Sequence, residues 1–321
     1  MNAFLSTKPA TRFGCAAAIA ACCIAAAAAA SPAWAEDAAA PATAAAPPPA
    51  AASSQFKVGI DYYAGSSNLE GTRRYSDGMW AGSAAALPSV AYGAWEDGRG
   101  YAAKFSLGVG DLFNGPDHTY DQPAEAWWQF PVGKARVTVG KYWVPFALQE
   151  WQYETKPGLM VTWSERGNDL SVSANHNKNT RSANTYLRAG HSFGEAATVG
   201  LSYASGKGLS YDSDHDRGWG VDAALAWQGW RLSGEYVRLT HGARDPFRFG
   251  SAKLAYEGLG AWTPYVAYYD WDDRSEAFGR FRSTVYGLGY PVSAGLKLEV
   301  AYAPTSDKNV SWAQLHWTWE R

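Results

Sequence analysis

Seven residues in the second half of the chain, Asp212-Ser213-Asp214-His215-Asp216-Arg217-Gly218, set three carboxylates at alternate positions. A hard cation such as calcium takes several oxygens from one turn, so Asp212, Asp214 and Asp216 form a weak candidate metal site. The spacing departs from a calcium loop: the glycine comes one place late, and no glutamate follows at the twelfth position. The simpler expectation is an acidic, solvated loop, and Asp270, Asp272 and Asp273 fall in the same class. The six histidines (His118, His176, His191, His215, His241 and His316) are scattered, with no pair at zinc-like spacing. His118 stands beside Asp117 and His241 near Asp245, but no Gly-x-Ser-x-Gly elbow supplies a nucleophile for them. No enzyme activity and no cofactor are expected.

What remains is charge set among apolar residues. Lys57, Asp61, Lys104, Glu125, Arg136, Arg188, Asp222, Lys253, Arg280, Arg282, Lys297 and Glu299 occur in segments where apolar and polar residues alternate. Such groups are costly in a dry core and cheap along a water-filled lumen, so they are candidate pore-lining residues. Eight are basic and four acidic, which suggests a mild anion preference. Arg280 and Arg282, two residues apart, share one face of their segment. Lys141 and Arg248 fall on the apolar face, and a bulge at Gly140 or Gly250 would be needed to turn them.

The elements that must carry these groups have a period of two. In Gln55–Tyr63, Phe56, Val58, Ile60 and Tyr62 oppose Lys57, Gly59 and Asp61. The same split recurs with Phe105, Leu107 and Val109, with Leu170, Val172 and Ala174, with Trp219, Val221 and Leu225, and with Leu296, Leu298 and Val300. The segments number roughly sixteen, an even count as a single-chain membrane barrel requires. Their joins alternate: tight ones such as Glu165-Arg166-Gly167-Asn168 and Gln228-Gly229-Trp230, then generally longer polar ones at 65–87, 112–122, 206–217 and 271–279. This rhythm predicts an all-β, antiparallel up-and-down transmembrane barrel, with short periplasmic turns and longer extracellular loops. A soluble sandwich shares the alternation but not the rhythm of joins.

The 16 Trp and 19 Tyr fit that expectation, and many stand beside joins, as aromatic girdles require. The loop from Phe146 to Pro157 is apolar for an exposed segment, so Phe146, Leu148, Trp151 and Tyr153 are candidates for a constriction folded into the lumen.

Residues 1–35 read as a cleavable export signal: Lys8 and Arg12, an Ala-rich apolar run, then Ala33-Trp34-Ala35 before Glu36. Lipidation at Cys22 is disfavoured because the apolar run continues past it. All three cysteines (Cys15, Cys22, Cys23) lie in this signal, so the mature chain has neither disulfide nor thiolate site. Residues 36–54 are Ala and Pro with little else and read as a flexible periplasmic segment, leaving the barrel to 55–321. The net charge of -2, without a basic block, gives no reason to expect nucleic acid as a partner.

Gly140-Lys141-Tyr142-Trp143-Val144-Pro145-Phe146 resembles a segment of porin-like proteins, in which a Gly-basic-aromatic strand runs into a Val-Pro-Phe loop. Together with the strand rhythm it resembles the bacterial porin superfamily. The resemblance implies passage of small hydrophilic solutes, frequent homotrimers, outer-membrane lipids as surroundings and insertion by the barrel assembly machinery. Such barrels usually end on an aromatic residue, whereas this chain ends Trp317-Thr318-Trp319-Glu320-Arg321. The alternatives are a structural or surface-binding barrel that does not conduct and, less favoured, a hydrolase at the barrel rim.

Overall fold

The computed structural model describes residues 54–67, 90–108, 125–148, 155–177, 180–209, 215–241, 246–273, 279–304 and 309–321. Sixteen strands carry them. The first eight are β1 Gln55–Ser67, β2 Val90–Glu96, β3 Ala102–Gly108, β4 Glu125–Val132, β5 Ala135–Trp143, β6 Thr155–Glu165, β7 Asn168–Asn177 and β8 Ser182–Phe193. The second eight are β9 Ala197–Lys207, β10 His215–Trp227, β11 Trp230–His241, β12 Phe247–Tyr256, β13 Thr263–Asp273, β14 Gly279–Ser293, β15 Leu296–Ala303 and β16 Val310–Glu320. Each pairs antiparallel with its neighbours in sequence, and β16 pairs with β1 to close the barrel. Val58 and Arg321 extend the seam by exchanging backbone hydrogen bonds of 2.9 Å in both directions. Closure leaves no strand edge, the condition under which a sheet can cross lipid with its backbone satisfied.

Alternation sets the two faces. Along β10, Asp216, Gly218, Gly220 and Asp222 are buried while Trp219, Val221, Leu225 and Trp227 are exposed. The exposed apolar face recurs around the barrel with Phe56, Leu107, Val139, Leu201, Leu232, Val266, Val300 and Leu315. These side chains stand outward and form the surface that meets lipid tails.

One rim is made by tight turns. Arg166-Gly167 (φ 53° and 82°) and Gln228-Gly229 (φ 47° and 83°) hold positive φ at both central positions. That is the type I′ geometry, whose twist matches two-residue hairpins. The opposite rim carries the connections 68–89, 109–124, 144–154 and 208–214.

The strands run further than the alternation suggested. Asp270 and Asp272, expected in a solvated loop, lie on β13, and Asp216 lies on β10. Most of the exposed tryptophans stand outward near strand ends, with tilted ring pairs Trp230–Tyr256 (4.6 Å) and Trp262–Tyr290 (4.5 Å). Trp127, Trp271 and Trp312 do not belong to that set, since register turns them inward. The inner face also holds apolar bulk that a simple polar-inside rule misses. Phe247, Phe249, Val237, Leu239, Tyr186 and Trp312 pack there as one cluster with Val144 and Phe146.

Candidate functional site

The interior is where this molecule gathers charge. Register places Lys57, Asp61, Lys104, Glu125, Arg136, Arg188, Asp222, Lys253, Lys297 and Glu299 on the inner wall. Alternation also sets Lys156, Asp169, Asp216, Glu235 and Glu320 there, none of which the sequence reading assigned to the lumen. Asp169 could have been found by stepping two residues back along the Ser171–Ser173–Asn175 face. Lys156 and Asp216 were hidden because their strands extend into sequence that looks like loop.

Most of these charges are matched across strands. The Arg188 guanidinium on β8 reaches Asp169 on β7 at 3.0 Å and Asp222 on β10 at 2.7 Å. Two glycines give it room: a side chain at Gly190 would strike Asp169 and Arg188, and one at Gly200 would strike Asp222 and Arg188. Lys104 pairs with Glu125 at 2.5 Å, and Glu125 also accepts the Trp127 indole N–H at 3.1 Å. Lys57 pairs with Glu320 at 3.1 Å, and Asp61 meets the His316 ring at 2.5 Å. The Tyr265 hydroxyl donates to Glu299 at 2.7 Å while the Lys253 ammonium lies 4.2 Å from the Tyr265 ring centre.

A short segment beyond β5 crosses this space. The Ala147 N–H donates to Ser202 Oγ on β9 at 2.9 Å, and the Leu148 N–H donates to Glu235 Oε2 on β11 at 2.6 Å. β5 and β11 stand six strands apart around the wall, so the segment reaches across the interior. Phe146 is 1% exposed and meets Tyr186 edge-on at 6.3 Å. Ala147 lies over Gly220, where a Cβ would come within 3.5 Å of its own. Burying Phe146 contributes on the order of 2 kcal/mol to holding the segment in place. Phe146 and Leu148 therefore sit in the interior. Trp151 and Tyr153 lie outside the described residues.

Two expectations are corrected. Arg280 and Arg282 do not line the lumen: Arg282 pairs in register with Asp270 and Arg280 with Asp272, on the same face as the exposed Tyr268 and Tyr286. Both guanidinium groups face outward and bind Asp270, at 3.0 Å and 3.3 Å. The two arginines do share one face, as their spacing predicts, but that face is the outer one. Nor do Lys141 and Arg248 turn inward. Pairing runs unbroken through Gly140 and Gly250, so no bulge rotates them.

In the candidate metal loop, Asp212 and Asp214 lie outside the described residues. Asp216 is fully buried on the inner face, where its Oδ2 accepts the Leu209 N–H at 3.1 Å. It anchors the start of the connection between β9 and β10. The export signal, its cysteines, the Ala/Pro segment as far as residue 53, and His118 also lie outside the described residues.

No protein-family model matches the chain, and no curated protein matches it. Solved structures do. The anion-selective porin from Comamonas acidovorans aligns at TM-score 0.60 and 11% identity, covering 84% of this chain and 99% of that one. OmpF of Salmonella typhi aligns at 0.59 and 9%, covering 83% and 97%. OmpT of Vibrio cholerae in its trimer form aligns at 0.57 and 10%, covering 83% and 99%. At these identities the likeness is one of fold. A closed sixteen-stranded barrel with an apolar outer band and a charged interior is how an antiparallel sheet crosses an outer membrane, and this chain has the porin-like β-barrel fold.

Proposed function

We propose that the barrel is a passive, non-enzymatic pore for small hydrophilic solutes. The observation that carries this reading is the inner wall itself. Ion-paired and hydrogen-bonded charge from β1 to β16 belongs beside water, and a dry plug would leave it very costly. The segment Val144–Leu148 then narrows the lumen rather than filling it.

Selectivity is expected to be mild. Moving Arg280 and Arg282 outside, and adding Lys156, Asp169, Asp216, Glu235 and Glu320 inside, turns eight basic against four acidic into seven against eight, so the basic excess read from sequence is gone. What still favours anions is position. Arg136, Lys253 and Lys297 stand in the turn-side half of their strands and have no carboxylate partner among the described residues. They form a basic lining near the periplasmic mouth, and the Comamonas relative in fold is itself an anion-selective porin. Assembly as a homotrimer fits the trimer form of the Vibrio cholerae neighbour.

Purified protein in a planar bilayer should give stepwise currents, with a reversal potential displaced toward the anion side in a salt gradient. A folded barrel that gives no steps would remove the pore and leave the non-conducting reading, which the buried Phe146 segment favours. Phe146→Ala with Leu148→Ala should raise the single-channel conductance. An unchanged step size would mean that this segment does not set the narrowest point.

A further inference from the structure

The outer wall carries a patch unlike the rest of it. One row of the sheet sets Leu201, Val221, Tyr236, Gly250, Asp270 and Arg282 side by side on the lipid face. Two grooves meet on this row at Tyr236. The first, about 700 Å³, is apolar and runs over Leu201, Val221 and Ala223 in the middle of the wall. The second, about 380 Å³, lies toward the long-loop rim, where Gly250 leaves a gap flanked by Tyr236 and Tyr268 and bordered by Arg248 and Arg280.

Among the described residues the outward charge at this rim is basic in excess. Arg238, Arg248, Arg280 and Arg282 face outward there against Asp270 and Asp272. Asp270 already holds both Arg280 and Arg282, and Arg248 has no ion pair among the described residues. The Nε of Arg238 is enclosed with no hydrogen-bond partner among them. Arginine on the lipid face is costly at the bilayer centre and cheap near the interface, where phosphate headgroups can accept its donors. Depth and polarity thus run together down one continuous depression: guanidinium groups at headgroup level, small and apolar side chains below.

We propose that this composite groove holds a phosphate-bearing, acylated lipid of the outer leaflet. Its phosphate lies on Arg248 and Arg280, and an acyl chain lies along Val221 and Ala223. The inference rests on membrane placement and not on conduction, so a barrel without current would still be open to the test.

The test uses the folded barrel in phosphatidylcholine nanodiscs doped with bis-phosphorylated, hexa-acylated lipid A, with bound lipid counted by native mass spectrometry. The wild-type protein should retain one lipid A, and Arg248→Ala with Arg280→Ala should bind it roughly thirtyfold more weakly. Val221→Trp fills the apolar groove without touching charge and should also lower retention, which covers a double variant that fails to fold. Equal retention by folded variants and wild type would overturn the proposal. So would full displacement by inorganic phosphate, which would make this a site for the free anion. Loss of oligomer in the arginine variant, with lipid retention unchanged, would assign the patch to a second copy of the chain and likewise overturn it.

Discussion

Two clusters of arginine and aspartate sit on opposite faces of the same wall, and they are built on opposite plans. Inside, one guanidinium, Arg188, lies between two carboxylates, Asp169 and Asp222. Outside, one carboxylate, Asp270, lies between two guanidinium groups, Arg280 and Arg282. The inner cation is 20% exposed and the Asp222 carboxylate wholly buried, over glycines that leave space for the pair. The outer arginines are 41% and 55% exposed. The inner cluster has one carboxylate more than it has cations, and Asp222 Oδ2 is buried with no hydrogen-bond partner among the described residues, but Arg188 holds both carboxylates against the wall. The outer one carries an excess of donors turned toward the membrane. An enclosed cluster braces a wall, whereas an exposed one with donors to spare is a place for something else to bind.

The largest expected effect comes from breaking the inner cluster. Arg188→Met leaves Asp222 buried without its cation, and removing one partner of a buried pair costs about 3–5 kcal/mol. Urea unfolding from lipid vesicles would read it, and adding Asp222→Leu should recover most of the loss. A loss below about 1 kcal/mol would mean that lumen water already solvates Asp222, and the contrast between the two clusters would fail.

These clusters also mark how far the sequence could be read. The period of two and the alternation of joins were enough for an antiparallel barrel of about sixteen strands, because both follow from how a strand must meet lipid and water. Lys57 and Asp61 could be assigned to the inner wall because Phe56, Val58 and Ile60 alternate with them without ambiguity. Arg280 and Arg282 could not, because Phe281 stands between them in the sequence, and an aromatic residue among arginines gives no face a clear claim to lipid. The inner apolar cluster around Phe247 and Phe249 had no local signal either. Those residues face inward because Val144 and Phe146 arrive from a strand far away in sequence to cover that wall. Alternation reports which residues share a face, and only tertiary contact decides which face that is.

The smallest expected effect sharpens the comparison most. Asp270→Asn removes the one carboxylate that holds both Arg280 and Arg282, yet these groups are well solvated. Exposed pairs of this kind contribute about 0–1 kcal/mol, so unfolding in urea should scarcely shift. The inner cluster would not tolerate such a change so quietly. What should move is lipid retention: with Asp270 neutral, two guanidinium groups lose their competitor and the patch gains a net positive charge. Bound lipid A should increase relative to wild type in the same nanodiscs, the opposite direction from the arginine variants. A fall in retention would instead mean that Asp270 positions the arginines for the phosphate. The outer cluster would then be as finished a piece of construction as the inner one.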